Sequence, residues 1–228
     1  MNPPFSYPDL STETFDGMRW YKIDDETFFP SITTILGTTQ SEETKKSLAN
    51  WRTSLGPTKA DAASKAACDH GTNVHLLAER YLKNQKVDDL INGQPVSSKD
   101  LGAFKTLKSK LDKVDEVWGQ ECALFSREFE IAGRCDLVGT YKGIPCIVDF
   151  KTAGRIKDKK DIADYNLQLA FYGASHNEMH GTNIKEGVVL MVADSGFPLE
   201  FHVNLEEFYE PLKARSSEFW RKVVNKNY

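Results

Sequence analysis

The stretch that most restricts this chain is a short hairpin with charged residues at its open end. Leu137-Val138-Gly139-Thr140-Tyr141 and Ile144-Pro145-Cys146-Ile147-Val148 are apolar runs separated by Lys142-Gly143, a two-residue turn signal with Gly at a φ > 0 position. Asp136 precedes the first run, and Asp149-Phe150-Lys151 ends the second. Side chains alternate along a strand, so Asp149 and Lys151 share a face that Phe150 does not. Folding back at the turn sets Asp136 beside them. Two carboxylates at that separation repel unless a cation sits between them. Mg²⁺ takes oxygen ligands of this kind and keeps water positions open for a phosphate. A metal-bound water can attack a phosphodiester, and Lys151 can steady that water or the charge that develops. On the residues alone, strand-end aspartates with a surface lysine explain the pattern as well.

The 228 residues are 40% hydrophobic and 27% charged, enough for one domain with a sizeable core and too apolar for disorder. A formal charge of −4 does not advertise nucleic acid. Two local segments are basic, however. Lys151 to Lys160 and Lys213 to Tyr228 each carry five basic residues against one acid, a pattern also typical of a solvated face. Cys68, Cys122, Cys135 and Cys146 form no C-x-x-C pair, so no zinc ribbon or redox motif is indicated. No run reaches membrane-span length, and the start lacks a basic-then-apolar signal. The expectation is a cytoplasmic protein, in the host cytoplasm if phage-encoded, with no membrane partner. The lack of an Arg-rich, acid-poor leader argues against a mitochondrial precursor.

In chain order, residues 1 to 18 read as an arm or loop. Arg19 to Ile23 and Thr27 to Phe29 read as a strand pair. Ser31 caps a short helix with Ile32, Ile35 and Leu36 on its apolar face and Gly37 at its end. Its N–H groups with Thr33 or Thr34 could hold a phosphate, or the helix simply caps itself. Glu42 to Leu55 is a helix with Leu48, Trp51 and Leu55 on one side. Thr58 to Asn84 is a longer helix, interrupted near His70-Gly71, on which His75 and Glu79 share a face. Asp88 to Ser98, with Gly93 and Pro95, reads as a loop. Asp100 to Trp118 is a helix with a stripe from Leu101 to Trp118. The sheet starts near Gln120, with Glu121, Ala123 and Phe125 on one parity, and Phe129-Glu130-Ile131 continues it. Asp161 to Glu178 is a helix with Gln168 and Tyr172 four apart. Lys185 to Ala193 and Leu199 to Val203 are strands, and Leu205 to Val224 closes the chain as a helix. Strands flanked by helices on both sides make the fold α/β.

Taken together, these pieces resemble the PD-(D/E)XK nuclease superfamily. The likeness is to the branch of the mitochondrial genome maintenance exonuclease, phage exonucleases and RecB-type nuclease domains. Gly71-Thr72-Asn73-Val74-His75 resembles G-x-x-x-H, Gly133 to Asp136 resembles G-x-x-D, Asp149 to Thr152 resembles D-x-K-T, and Gln168 to Tyr172 resembles Q-x-x-x-Y. Pro30 to Leu36 is similar to the branch's entry segment, and Glu121 falls where the branch often has an acid. Cys135 stands where the superfamily's name has proline. The likeness spans residues 19 to 195.

The resemblance implies a restriction-endonuclease-like core, a central mixed β-sheet flanked by helices with an N-terminal helical elaboration. It implies a single nuclease domain over residues 1–228: a strand pair and helices to 118, the catalytic sheet core over 119–203, and a C-terminal helix from 204. It implies Mg²⁺ or Mn²⁺ held by His75, Asp136, Asp149 and the Phe150 carbonyl, with Asp136, Asp149 and Lys151 catalytic. Gln168 and Tyr172 would line the cleft, steadying the lysine or contacting DNA. Glu121 is an acid behind the ligands, a ligand of a second metal, or a solvent-facing strand residue; Glu79 is a weaker candidate for the same roles. The superfamily's iron–sulfur members place three cysteines together late in the chain, and here the last is Cys146, so no iron–sulfur cluster is expected. The implied activity is a metal-dependent DNA exonuclease acting on single strands or ends in replication, recombination or repair. The alternatives are a junction-resolvase-like endonuclease or a non-cutting DNA-binding module. No G-x-x-x-x-G-K-[ST] is present, so unwinding would come from a helicase partner, alongside a single-strand-binding or annealing protein. Trp20, Tyr21, Phe28 and Trp51 are either base-stacking surfaces or core.

Overall fold

A computed structural model describes residues 4–85, 87, 90, 91 and 94–224. A small antiparallel sheet comes first: β1 (Thr12–Phe15), β2 (Met18–Lys22) and β3 (Phe28–Pro30). β1 lies inside the stretch expected as an arm. Its residues are all exposed, so no apolar alternation marked it. Helix α1 (Ile32–Thr38) is capped by Ser31, whose Oγ accepts from Thr34 N, and it ends at Thr39 rather than Gly37. Helix α2 (Glu42–Leu55) has the expected bounds, yet buries none of its residues, and Leu48, Trp51 and Leu55 are exposed. Helix α3 (Pro57–Leu82) runs without interruption through His70-Gly71.

Leu90–Ile91 (β4) and Gln94–Pro95 (β5) form a minimal ladder where a loop was expected; Asp88 and Gly93 lie outside the described residues. Helix α4 (Ser98–Leu111) stops seven residues before Trp118. Val114 and Trp118 continue the helical spacing by coincidence and belong to β6 (Val114–Ser126). Phe129 and Glu130 lie in the turn to β7 (Ile131–Tyr141), which is followed by β8 (Ile144–Ala153). Then come α5 (Ala163–His180), β9 (Glu186–Ala193), β10 (Pro198–Asn204) and, after one 3₁₀ turn, α6 (Tyr209–Val224).

The main sheet has the order β10-β9-β8-β7-β6. Only β8 and β9 run parallel, and α5 makes the crossover that a parallel pair requires. One core packs α1, α5 and α6 against the sheet, through Ile32, Leu124, Ile147, Leu169 and Phe219. A second packs α3 and α4, through Leu77, Leu107, Val148, Phe150 and Leu190, and a third, smaller one joins Tyr21 and Phe29 of the small sheet to Ala123 and Ala132. The expected mixed sheet with helices on both faces is present. In the small sheet Tyr21 is buried, and Trp20 packs on Phe219 and Trp220, so these two aromatics are packing residues. No helix among the described residues is long and apolar enough to cross a membrane.

Candidate active site

The hairpin turn at Lys142-Gly143 has positive φ at both residues, 53° and 78°, as a type I′ turn requires. From Tyr141↔Ile144 the strands stay paired as far as Leu137↔Val148, and there the ladder stops. Beyond that point Asp136 Oδ2 accepts the Phe150 N–H at 2.8 Å, so a side chain replaces the backbone partner. Alternation along β7 breaks at the same place. Cys135 packs in the α5-side core and Leu137 in the α3/α4-side core, although they are two residues apart. The splay is where the charged groups gather.

His75 on α3 places Nδ1 3.5 Å from Asp136 Oδ2. One turn earlier, a Cβ on Gly71 would sit 3.4 Å from Thr152 Oγ1, so α3 packs closely against the end of β8. Glu121 on β6 stands opposite Asp136, in a left-handed conformation at φ 47° that a glutamate rarely adopts. Candidate ligand atoms of His75, Glu121 and Asp136 lie within 4.8 Å of one another. They line a cleft of about 470 Å³ with Gly71, Thr72, Leu76 and Glu79. Glu79 is ion-paired to Lys83 at its rim.

Asp149 is 1% exposed. Its Oδ1 accepts from Lys151 Nζ at 2.6 Å; Oδ2 lies 2.5 Å from the same nitrogen but takes no well-directed hydrogen bond. Asp149 thus faces the Lys151 ammonium with both oxygens, one of them without a well-directed hydrogen bond. Burial, aided by Asp136, pushes the Asp149 carboxyl up to about 6 against the pull of Lys151. Burial and then Asp136 push Glu121 up to about 7. Burial opposes ionisation of Asp136, but His75 and Lys151 hold its pKa below the ordinary carboxylate range. Burial disfavours the charged forms of His75 and Lys151, and the carboxylates outweigh it, raising both. The pocket is short of positive charge, and its oxygen-rich donor set with one imidazole suits a divalent cation.

Gln168, half-buried, and Tyr172 are joined to each other and to β7. Tyr172 is buried; its hydroxyl accepts from Gln168 Nε2 at 3.2 Å and donates to the Arg134 carbonyl at 2.6 Å. This pins β7 two residues before Asp136. A Cβ on Gly133 would lie 3.0 Å from both Phe171 and Tyr172, so a larger residue there would need those rings to give by a few tenths of an ångström. Thr33 and Thr34 bond to Arg19 and Ser31 at the start of α1, a self-capping arrangement. Tyr165 was not singled out from the sequence, where a lone helix tyrosine carries no pattern. It lies under Lys151, whose Nζ is 5.1 Å from its ring centroid.

A hairpin that opens at two aspartates and a lysine, beside a helix histidine, is the arrangement of a nuclease core. The family model of the PD-(D/E)XK nuclease superfamily matches residues 48–194, and the chain belongs to that superfamily. Among curated proteins it is similar to mitochondrial genome maintenance exonuclease 1. It is 24% identical to the mouse protein over 201 residues, covering 85% of this chain and 56% of that one. For Xenopus tropicalis the identity is 26% over 180 residues, covering 76% and 51%. For the human protein it is 22% over 211 residues, covering 87% and 60%. The chain thus spans little more than half the length of these relatives. A solved structure from Eubacterium rectale superposes with a TM-score of 0.46 at 13% identity, over 67% of this chain and 66% of that one.

Proposed function

We propose that this protein is a divalent-metal-dependent exonuclease that hydrolyses phosphodiester bonds of single-stranded DNA or DNA ends. The observation that carries the reading is the deficit of positive charge where the β7–β8 hairpin splays. Asp136 and Asp149, with His75 and Glu121 around them, are the groups to hold Mg²⁺ or Mn²⁺; the Phe150 carbonyl, at the same splay, is a further donor. A cation bound there supplies Lewis-acid polarisation of the scissile phosphate. Lys151 stays charged, is anchored by Asp149, and is placed to orient the attacking water and steady the charge on the phosphate. Tyr172 and Gln168 act through the backbone, keeping β7 in position. The preference for ends follows the names of the relatives, as does a role in genome maintenance. A cytoplasmic location, a helicase or annealing partner, and one nuclease domain over residues 1–228 belong to the same proposal.

End-labelled linear DNA, single- and double-stranded, and circular single-stranded DNA are incubated with Mg²⁺ or Mn²⁺. The expected result is shortening of linear DNA from an end, an intact circle, and no reaction with chelator. Activity that persists in chelator overturns the metal mechanism. A cut circle replaces the exonuclease with an endonuclease, and tight binding without hydrolysis in either metal replaces it with a binding module.

A further inference from the structure

The connection between β8 and α5 is basic, yet its charges differ in how they are used. Arg155 is neutralised by Asp161, with contacts of 2.8 and 2.6 Å. Lys159 and Lys160 are exposed. Lys157 alone among residues 154–161 is not fully exposed. Its Nζ donates to the Tyr165 hydroxyl at 2.6 Å and lies 4.6 Å from the centroid of that ring. The same ring carries Lys151 Nζ at 5.1 Å.

One tyrosine therefore holds two ammonium groups from two segments of chain. Each contact is favourable alone, since the ring face is electron-rich. Together they gather two cations around one ring. Lys151 has Asp149 to offset its charge, whereas Lys157 makes no ion pair among the described residues. The second basic segment shows the contrast. There Lys213 pairs with Glu128, Arg215 with Asp164, and Lys222 with Glu218. Lys157 is thus a cation held on the same ring as the lysine of the active site, with no carboxylate in ion-pair contact, although Asp161 lies near enough to feel its charge. An anion is its natural complement, and a nucleic-acid strand presents anions at regular intervals.

We propose that Lys157 and Tyr165 form a subsite for the backbone phosphate adjoining the one that is cleaved. Tyr165 acts as a post: its hydroxyl fixes the Lys157 ammonium, and its ring sets the spacing between that ammonium and Lys151. This inference rests on the nuclease reading. The subsite takes a phosphodiester oxygen by charge and hydrogen bond, so it does not discriminate bases.

The test uses single-stranded oligonucleotides in which one neutral methylphosphonate linkage is walked along the chain. Binding is measured by fluorescence anisotropy with Ca²⁺ in place of Mg²⁺, and cleavage is followed with Mg²⁺. Wild type is expected to lose about 5- to 10-fold in affinity when the linkage beside the cleaved one is neutral, in line with a charge-assisted hydrogen bond. Lys157→Gln should show that loss on the natural strand and no further loss at that linkage. Its salt slope should be shallower by about 0.7, the value for one phosphate contact on a single strand. Lys157→Arg should restore most of the affinity, and Tyr165→Phe should weaken it less than Lys157→Gln does. Thermal melts of all variants identify any that lose the fold. If the protein cleaves DNA but Lys157→Gln keeps the wild-type methylphosphonate profile and salt slope, the subsite is overturned and the nuclease reading stands. If wild type neither binds nor cleaves DNA, both fall.

Discussion

The two ends of the β7–β8 hairpin handle buried charge in opposite ways. At the turn end, Glu200 of β10 receives Lys142 from the turn, Lys110 from α4 at 2.9 Å and His202 at 2.7 Å. Burial pushes its carboxyl up, but these donors together hold it far below the ordinary range. At the open end, carboxylates outnumber cations, and Asp149 and Glu121 are pushed up to about 6 and 7. Charges are matched where the turn's Lys142 reaches Glu200 and mismatched where the two strands splay. A mismatch of this kind costs stability and is expected where a cation completes the set.

The comparison can be broken most sharply by catalysis. Lys151→Ala and Asp136→Asn should each lower kcat by about 10²-fold or more, the scale for losing a group that steadies developing charge. Glu200→Gln should leave kcat unchanged. If Glu200→Gln matched their loss, the two ends would not be functionally distinct. The next effect is metal linkage. At 100 times its Kd, Mg²⁺ should stabilise the wild type by about 2.7 kcal/mol in urea denaturation. His75→Ala should lose most of that gain, whereas Glu200→Gln should keep it.

Glu200→Gln should itself destabilise the protein by about 1–3 kcal/mol at pH 7, because Lys110 and Lys142 lose their shared carboxylate. The folded pKa of Glu200 is depressed, so its stabilisation is present above the unfolded value of ~4.3 and vanishes as pH falls toward the folded one. Denaturation curves of wild type and variant should therefore converge on acidification. Glu121→Gln should move the other way. In chelator at pH 8 it should raise stability by about 1–2 kcal/mol by removing a carboxylate that burial and Asp136 disfavour. A loss of stability there would place Glu121 with Glu200. The smallest effect belongs to the exposed pair Lys65–Asp69, where Lys65→Ala should cost no more than about 0.5 kcal/mol.

The sequence was most legible where one local signal decided one local structure. Lys142-Gly143 set the turn, Ser31 capped α1, and the spacing of Asp136, Asp149 and Lys151 placed them at one end of the hairpin. It was less legible where a pattern had two meanings. Val114 and Trp118 fit a helical stripe and stand in a strand. Leu48, Trp51 and Leu55 have core spacing and are exposed, since periodicity shows which residues share a face and not what covers it. The G-x-x-x-H and D-x-K-T segments are brought together as the resemblance implied. However, the mutually close group is His75, Glu121 and Asp136, while Asp149 turns to Lys151. Neither the left-handed backbone at Glu121 nor the two lysines on Tyr165 leaves a trace in residue spacing. Both arise from contacts between segments far apart in the chain.

The parallel pairing of β8 with β9 has a consequence for how the molecule comes into being. A hairpin closes in microseconds, but β9 can join β8 only after the whole α5 crossover is made. His75 must also dock from a helix that ends before β6 begins. Contacts of such long sequence separation form late and slowly. A chain whose aspartates are already set in the hairpin still needs α3 to dock its imidazole and β9 to join the sheet. The complete site should therefore arise only once α3 has docked and the sheet has closed.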